Sequence, residues 1–167
     1  DLSRCVSQCY DGASVMSGVS NGVQSRFRER CKSPCLYVHC HAHRLNLVLV
    51  NSCNNIPIFM EAIGLMEAVY AFFSASTLRC DKFKQTQISA GLTVLCLPMQ
   101  SDTRWVCKHK AVTVFKKRYD CLVAALKHFS EFSTKGKERV EASGLLMQLQ
   151  TFKFVFVLHL LDEILPV

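Results

Sequence analysis

Two rhythms of apolar residues divide the chain. Near the N-terminus the apolar positions come in short runs, residues 5–10 and 36–40, each the length of a strand. Breakers bound both: Asp11-Gly12 follows the first and Pro34 precedes the second. Between them, Ser14 or Ser17 is placed to cap a helix that runs on through Val23, Phe27 and Arg30. The second run changes character within a few residues. In Tyr37-Val38-His39-Cys40-His41-Ala42-His43-Arg44-Leu45-Asn46-Leu47-Val48-Leu49-Val50 the strand pattern gives way to Leu45, Val48 and Leu49 at helical spacing. Such strand-to-helix junctions are where α/β proteins place ligands, because strand ends converge there and helix N-termini attract anions. The core is expected beneath this one.

From His43 onward the period is helical. Pro57 suits a first helical turn, and Phe59, Ala62, Met66, Val69 and Phe73 then form a core-facing stripe. Residues 79–87 read as an exposed helix and 91–102, with Pro98, as a connection. Val112, Phe115, Tyr119, Leu122, Leu126 and Phe129 keep one apolar seam, which predicts a single helix. Lys108, Lys110, Lys116, Lys117, Arg118 and Lys127 decorate its other faces. Residues 133–137 break it, and a last helix over 138–165 carries Leu145, Leu149, Phe152 and Phe156. No internal repeat or low-complexity tract occurs. The pattern predicts a mostly helical α/β chain, with two strands in residues 1–50 and an all-α segment in 51–167.

Half of the 167 residues are hydrophobic and 20% are charged, which excludes a disordered chain and allows one good core or two small lobes. A formal charge of +7 favours a polyanionic partner without choosing one. Ten cysteines, with no Asn-x-Ser/Thr sequon and no signal-peptide pattern, read as reduced thiols of an intracellular protein rather than a disulfide scaffold. The most apolar run, 152–161, carries Lys153 and His159 and falls well short of the roughly 20 apolar residues that a membrane span needs, so no span is expected. A start at Asp1-Leu2-Ser3 without Met and an end at Leu165-Pro166-Val167 read as the limits of a piece of a longer chain.

Asp11 stands where the first strand should end, a place suited to holding a hard divalent cation. Taken alone it reads first as an Asp turn or cap, and Asp81, Asp102, Asp120 and Asp162 have no evident link to it. Gly18-Val19-Ser20-Asn21-Gly22 matches the G-x-S-x-G nucleophile elbow formally, but no strand leads into it, so it reads as chance. Cys31, Cys35, Cys40 and His43 supply four soft ligands at close spacing. Leu36-Tyr37-Val38 reads as a buried strand that would hold the two pairs apart, so reduced, buried cysteine is preferred to zinc. Thr103-Arg104-Trp105 joins a phosphate fork to a stacking face just ahead of the basic residues Lys108 and Lys110. A hydrophobic helix anchor is the plain alternative for a lone Trp.

Three pieces thus occur in order: Tyr10-Asp11-Gly12-Ala13-Ser14-Val15-Met16-Ser17-Gly18, His39-Cys40-His41-Ala42-His43-Arg44-Leu45-Asn46-Leu47, and Thr103-Arg104-Trp105. Together they resemble the hAT superfamily of DNA transposases, in the branch related to zinc finger MYM-type-like proteins, over essentially the whole chain. The resemblance implies a partial RNase H-like catalytic core in residues 1–50 followed by a helical insertion domain in 51–167, in a nuclear protein. In that family three acidic residues bind Mg²⁺ or Mn²⁺, cut DNA at transposon ends and leave hairpins on the flanking DNA. Asp11 matches the second of the three, Cys40 and His43 match the C-x-x-H pair, and Trp105 matches the insertion-domain tryptophan that stacks near a flipped base. Metal-bound carboxylates would activate water, and an aromatic face would hold the extruded base. Arg104, Lys108 and Lys110 would then meet phosphates. The implied partners are DNA at transposon ends and, by self-association, further copies of the chain; no membrane is implied. The first Asp and the final Glu find no match here, nor do the BED-type zinc finger and the dimerisation region. The expectation is a fragment inactive on its own, the alternative a domesticated, non-catalytic module that binds DNA or protein. A zinc-dependent structural module is a third.

Overall fold

The structure, a computed structural model, describes residues 2–31, 34–99 and 105–165, apart from the side chains of Trp105 and Val106. Over these residues the chain is mostly helical, with nine α-helices and one two-stranded parallel sheet. It divides into two compact units, Asp1–Asn51 and Ser52–Val167.

The first unit is built on the strand pair. A 3-10 turn, Leu2–Arg4, leads into β1 (Ser7–Tyr10), followed by α1 (Ser14–Ser17), α2 (Val23–Arg30), β2 (Leu36–His39) and the start of α3 (His41–Asn54). Parallel strands need a crossover, and α1 and α2 supply it. The register pairs Ser7 with Leu36 and Tyr10 with His39. The single helix expected through Val23 and Arg30 is two helices, interrupted by a turn at 18–22. There the Gly22 amide donates to the Gly18 carbonyl at 3.1 Å, and a Cβ on Gly22 would lie 2.5 Å from the Gly18 nitrogen. Close backbone approach explains both glycines, and Ser20 sits exposed in that turn with no strand leading into it. The interior of the unit is polar. Buried Gln8 donates from Nε2 to the carbonyls of Gln24 (2.9 Å) and Cys35 (3.3 Å). Of the apolar side chains described in this unit, only Cys35 and Val50 are buried, while Leu36, Val38, Leu45 and Val48 are exposed. The core expected beneath the strand-to-helix junction is therefore not there. Two strands are too narrow a platform to bury a helix face.

The core lies in the second unit. α4 (Pro57–Ser74), with Pro57 in its first turn as expected, buries Phe59, Ala62, Ile63, Leu65, Met66, Val69, Phe72 and Phe73 against α5 (Thr77–Ser89), α8 (Gly136–Leu149) and α9 (Phe152–Ile164). Its 18 residues are long and apolar enough to cross a membrane by length and composition, although the sequence pattern gave no span. The eight buried side chains account for that apolarity as packing within the unit. The basic seam does not form one helix. α6 (Trp105–Lys117) and α7 (Tyr119–Phe132) meet at Arg118, whose φ of −123° and ψ of 17° leave the helical region. The last helix is likewise two, α8 and α9, bent by 65°.

The connection after α5 is tied down by one amide. Gln87, fully buried, donates from Nε2 to the Leu95 carbonyl (3.0 Å) and accepts the Leu95 amide on Oε1 (2.8 Å). Arg118 donates to the same Oε1 (3.0 Å) and to the Thr93 carbonyl (2.8 Å). Nearly every polar atom of this knot is used, as burial requires.

Candidate functional site

Because β1 and β2 run parallel and in register, they sort the reactive residues of the first unit to opposite ends. The C-terminal ends carry Asp11, His39, Cys40 and His43, and the Cys40 amide donates to the Tyr10 carbonyl at 2.9 Å. Asp11 is exposed, and its Oδ1 accepts the Ala13 amide at 3.2 Å, the turn that its residue type favours. Its carbonyl accepts the Tyr37 hydroxyl at 3.1 Å, and the Tyr10 and Tyr37 rings stack 6.4 Å apart. The Gly12 backbone lies directly on the His39 imidazole, so that a Cβ there would meet Cε1 at 2.6 Å. His39 Nε2 is buried by this contact without a hydrogen-bond partner, and the His43 ring lies 6.0 Å from that of His39. The Cys40 thiol is beside that of Cys9, whose pKa is pushed up by desolvation and then by this neighbour.

Among the described residues, no set of three ligand-bearing side chains includes Asp11. A single carboxylate already engaged in a turn does not fit a Mg²⁺ or Mn²⁺ ion by itself. The set that does converge is at the other end of the sheet. Cys5 precedes β1, Cys35 immediately precedes β2, Cys31 ends α2, and their Sγ atoms all lie within 4.8 Å of one another. The Cys5 and Cys35 sulfurs are 3.5 Å apart. Burial pushes the Cys35 thiol up to about 12, with the hydrogen bonds and charges of Cys5 and Cys31 acting in the same direction. The four-ligand set Cys31, Cys35, Cys40 and His43 is thus split. β2 separates Cys40 and His43 from the other two, and Cys5 takes their place. The exposed run of β2 hides nothing, so it is the length of the strand rather than burial that keeps the pairs apart.

In the second unit the basic helix is less available than its sequence suggests. Lys108 is only 3% exposed, packed on the inward side of α6, and its charge opposes the upward push of burial on the Cys53 thiol. It does not present its ammonium to a phosphate, which corrects its assignment as a nucleic-acid contact. Arg118 is buried in the Gln87 knot, and Lys116 is paired to Asp162 at 2.8 Å. Lys110 and Lys117 remain exposed. Trp105 opens α6, but its side chain, like Thr103 and Arg104, lies outside the described residues.

No protein-family model matches the chain, and no solved structure matches it. Two features escaped the sequence pattern. Cys5 opens the first expected strand and Cys35 stands just ahead of the second, so pairing those strands in parallel would have brought the two together. The Gln87–Arg118 knot had no such signal.

Proposed function

We propose that this chain is a segment of a hAT-type DNA transposase, whose intact parent carries out metal-dependent DNA cleavage and strand transfer. The observation that carries the reading is the placement of Asp11 at the C-terminal end of a strand, beside the strand that ends in His39 and leads through Cys40 and His43 into an all-helical unit. An RNase H-like arrangement supports its first catalytic carboxylates at such strand ends. Two-metal phosphoryl transfer needs several carboxylates, and Asp11 supplies one. The 167-residue chain therefore binds DNA without cutting it, and Mg²⁺ or Mn²⁺ chemistry belongs to the parent. Exposed Lys110 and Lys117 in the second unit, and a single matched carboxylate in the first, favour the second reading equally well: a nuclear, non-catalytic DNA-binding module derived from a transposase.

Binding of the whole chain to a hairpin-ended duplex, measured by fluorescence anisotropy across a salt series, tests both. Each phosphate contact steepens the plot of log affinity against log salt by about 0.9. A clear negative slope is expected, together with quenching of the lone tryptophan by the hairpin and selective loss of hairpin affinity in Trp105→Ala. A flat salt response would remove the DNA reading and leave protein partners. Adding Mg²⁺ or Mn²⁺ should give no product; nicking that disappears in Asp11→Ala would make the chain itself an enzyme.

A further inference from the structure

We propose that Cys5, Cys31 and Cys35 form a zinc site that fastens the leading ends of both strands to the end of α2, with a fourth position open to solvent or to an added ligand. The inference is independent of the DNA reading, so either can fail without the other.

Around Zn²⁺ with Zn–S distances of about 2.3 Å, tetrahedral thiolates stand about 3.8 Å apart. The three sulfurs, with one pair at 3.5 Å and all within 4.8 Å, span that spacing and need only small side-chain rotations to close on an ion. They come from three separate segments: the turn before β1, the end of α2 and the residue before β2. Cysteines that merely pack do so within an apolar core. Here no such core exists, since Cys35 and Val50 are the only buried apolar side chains described in the unit. Units of this size that lack a core are usually held by a metal or by disulfides. A disulfide would use two of the three sulfurs and leave the third idle.

The surroundings suit the ion. Soft thiolates select zinc over Mg²⁺ or Ca²⁺. Gln8 holds the Cys35 backbone by donating to its carbonyl at 3.3 Å, an outer support of the kind that fixes metal ligands. On binding, each thiol gives up its proton to solvent as its sulfur joins the metal.

The test uses the whole chain, purified under reducing conditions without chelator. Elemental analysis should find about one zinc per chain, and replacement with Co²⁺ should give the strong sulfur-to-cobalt charge-transfer absorption of a multi-thiolate site. Cys31→Ser should lose the stoichiometric metal, whereas Cys40→Ser and His43→Ala should keep it. A reduced parent chain with no bound zinc and no such cobalt absorption would overturn the proposal. So would equal loss of metal in Cys40→Ser. Should Cys31→Ser fail to fold, the cobalt titration of the parent chain decides alone.

Discussion

Asp162 lies on α9, where its carboxylate accepts from Lys116 Nζ at 2.8 Å and from Thr113 Oγ1 at 3.0 Å. Burial works to raise its pKa. The hydrogen bonds from Lys116 and Thr113, and the charges of Lys116 and His109, outweigh burial and hold it below the ordinary Asp value. The Lys116 pKa is raised by the same bond, so both partners point the same way. A carboxylate with a depressed folded pKa binds fewer protons folded than unfolded. Its contribution is complete above the ordinary Asp pKa of about 4 and is lost as pH falls through the depressed value. The pair is partly exposed, so Asp162→Asn should cost about 1 kcal/mol at neutral pH. Urea midpoints of parent and variant should converge in acid, below the depressed pKa. A difference that stays constant with pH would show that the loss is steric rather than electrostatic. Lys116, one of the basic residues that decorate the seam in the sequence, is therefore a strut between two helices. Nothing local distinguishes Lys116, which is paired, from Lys117, which is exposed, because the partner lies on a helix 46 residues further along the chain.

At the scale of elements, periodicity located the helices well and their breaks unevenly. Phe115, Leu122, Leu126 and Phe129 are all buried, so the seam passes through the interruption at Arg118 without losing phase. A one-residue departure from helical geometry leaves i+3 and i+4 spacing almost intact, and only the buried partners of Arg118 show why the chain turns there. The break between α8 and α9 did leave a trace. Leu145 and Leu149 are buried before it and Phe154, Val157, Leu158 and Leu161 after it, a phase shift that puts Phe152 and Phe156 outside. Extending the first phase across the break puts those two phenylalanines in line with Leu145 and Leu149, whereas their rings stack 5.9 Å apart on the surface. Thr151 is the residue that restarts the helix, its Oγ1 accepting the Phe154 amide at 3.2 Å. Thr151→Ala should lower stability by about 1 kcal/mol, as loss of an N-cap does. Phe152→Ser should stay within about 0.5 kcal/mol of the parent, the range for exposed positions. Thermal unfolding of the two variants checks both, and a larger loss in Phe152→Ser than in Phe154→Ser would contradict the phase assigned here.

At the scale of the whole molecule, the two units hold themselves together by different means, and this predicts where the chain opens. The strands were legible as short runs bounded by Asp11, Gly12 and Pro34. Their thin support was not, because it depends on how few partners a two-stranded sheet offers. Ser52–Val167 buries a continuous set of aromatic and aliphatic side chains, with Phe72 and Phe129 edge to face at 5.8 Å and Phe73 packed 5.3 Å from Phe83. Opening any part of that core exposes large apolar area, so its amides should exchange only through global unfolding. Asp1–Asn51 has a polar interior around Gln8 and Gln24 and little to lose when its strands separate. In native-state hydrogen exchange on the full chain, amides of α4, α7 and α9 should therefore be the slowest, with a shared urea dependence. Amides of β1 and β2 should exchange through local opening that urea barely affects. Added Zn²⁺ should slow β1 and β2 selectively, because an ion bound at Cys5, Cys31 and Cys35 stabilises only the closed form of that unit. Equal protection in both units without metal would mean that the N-terminal unit draws its stability from something other than its own side chains, and the case for a metal staple would weaken with it.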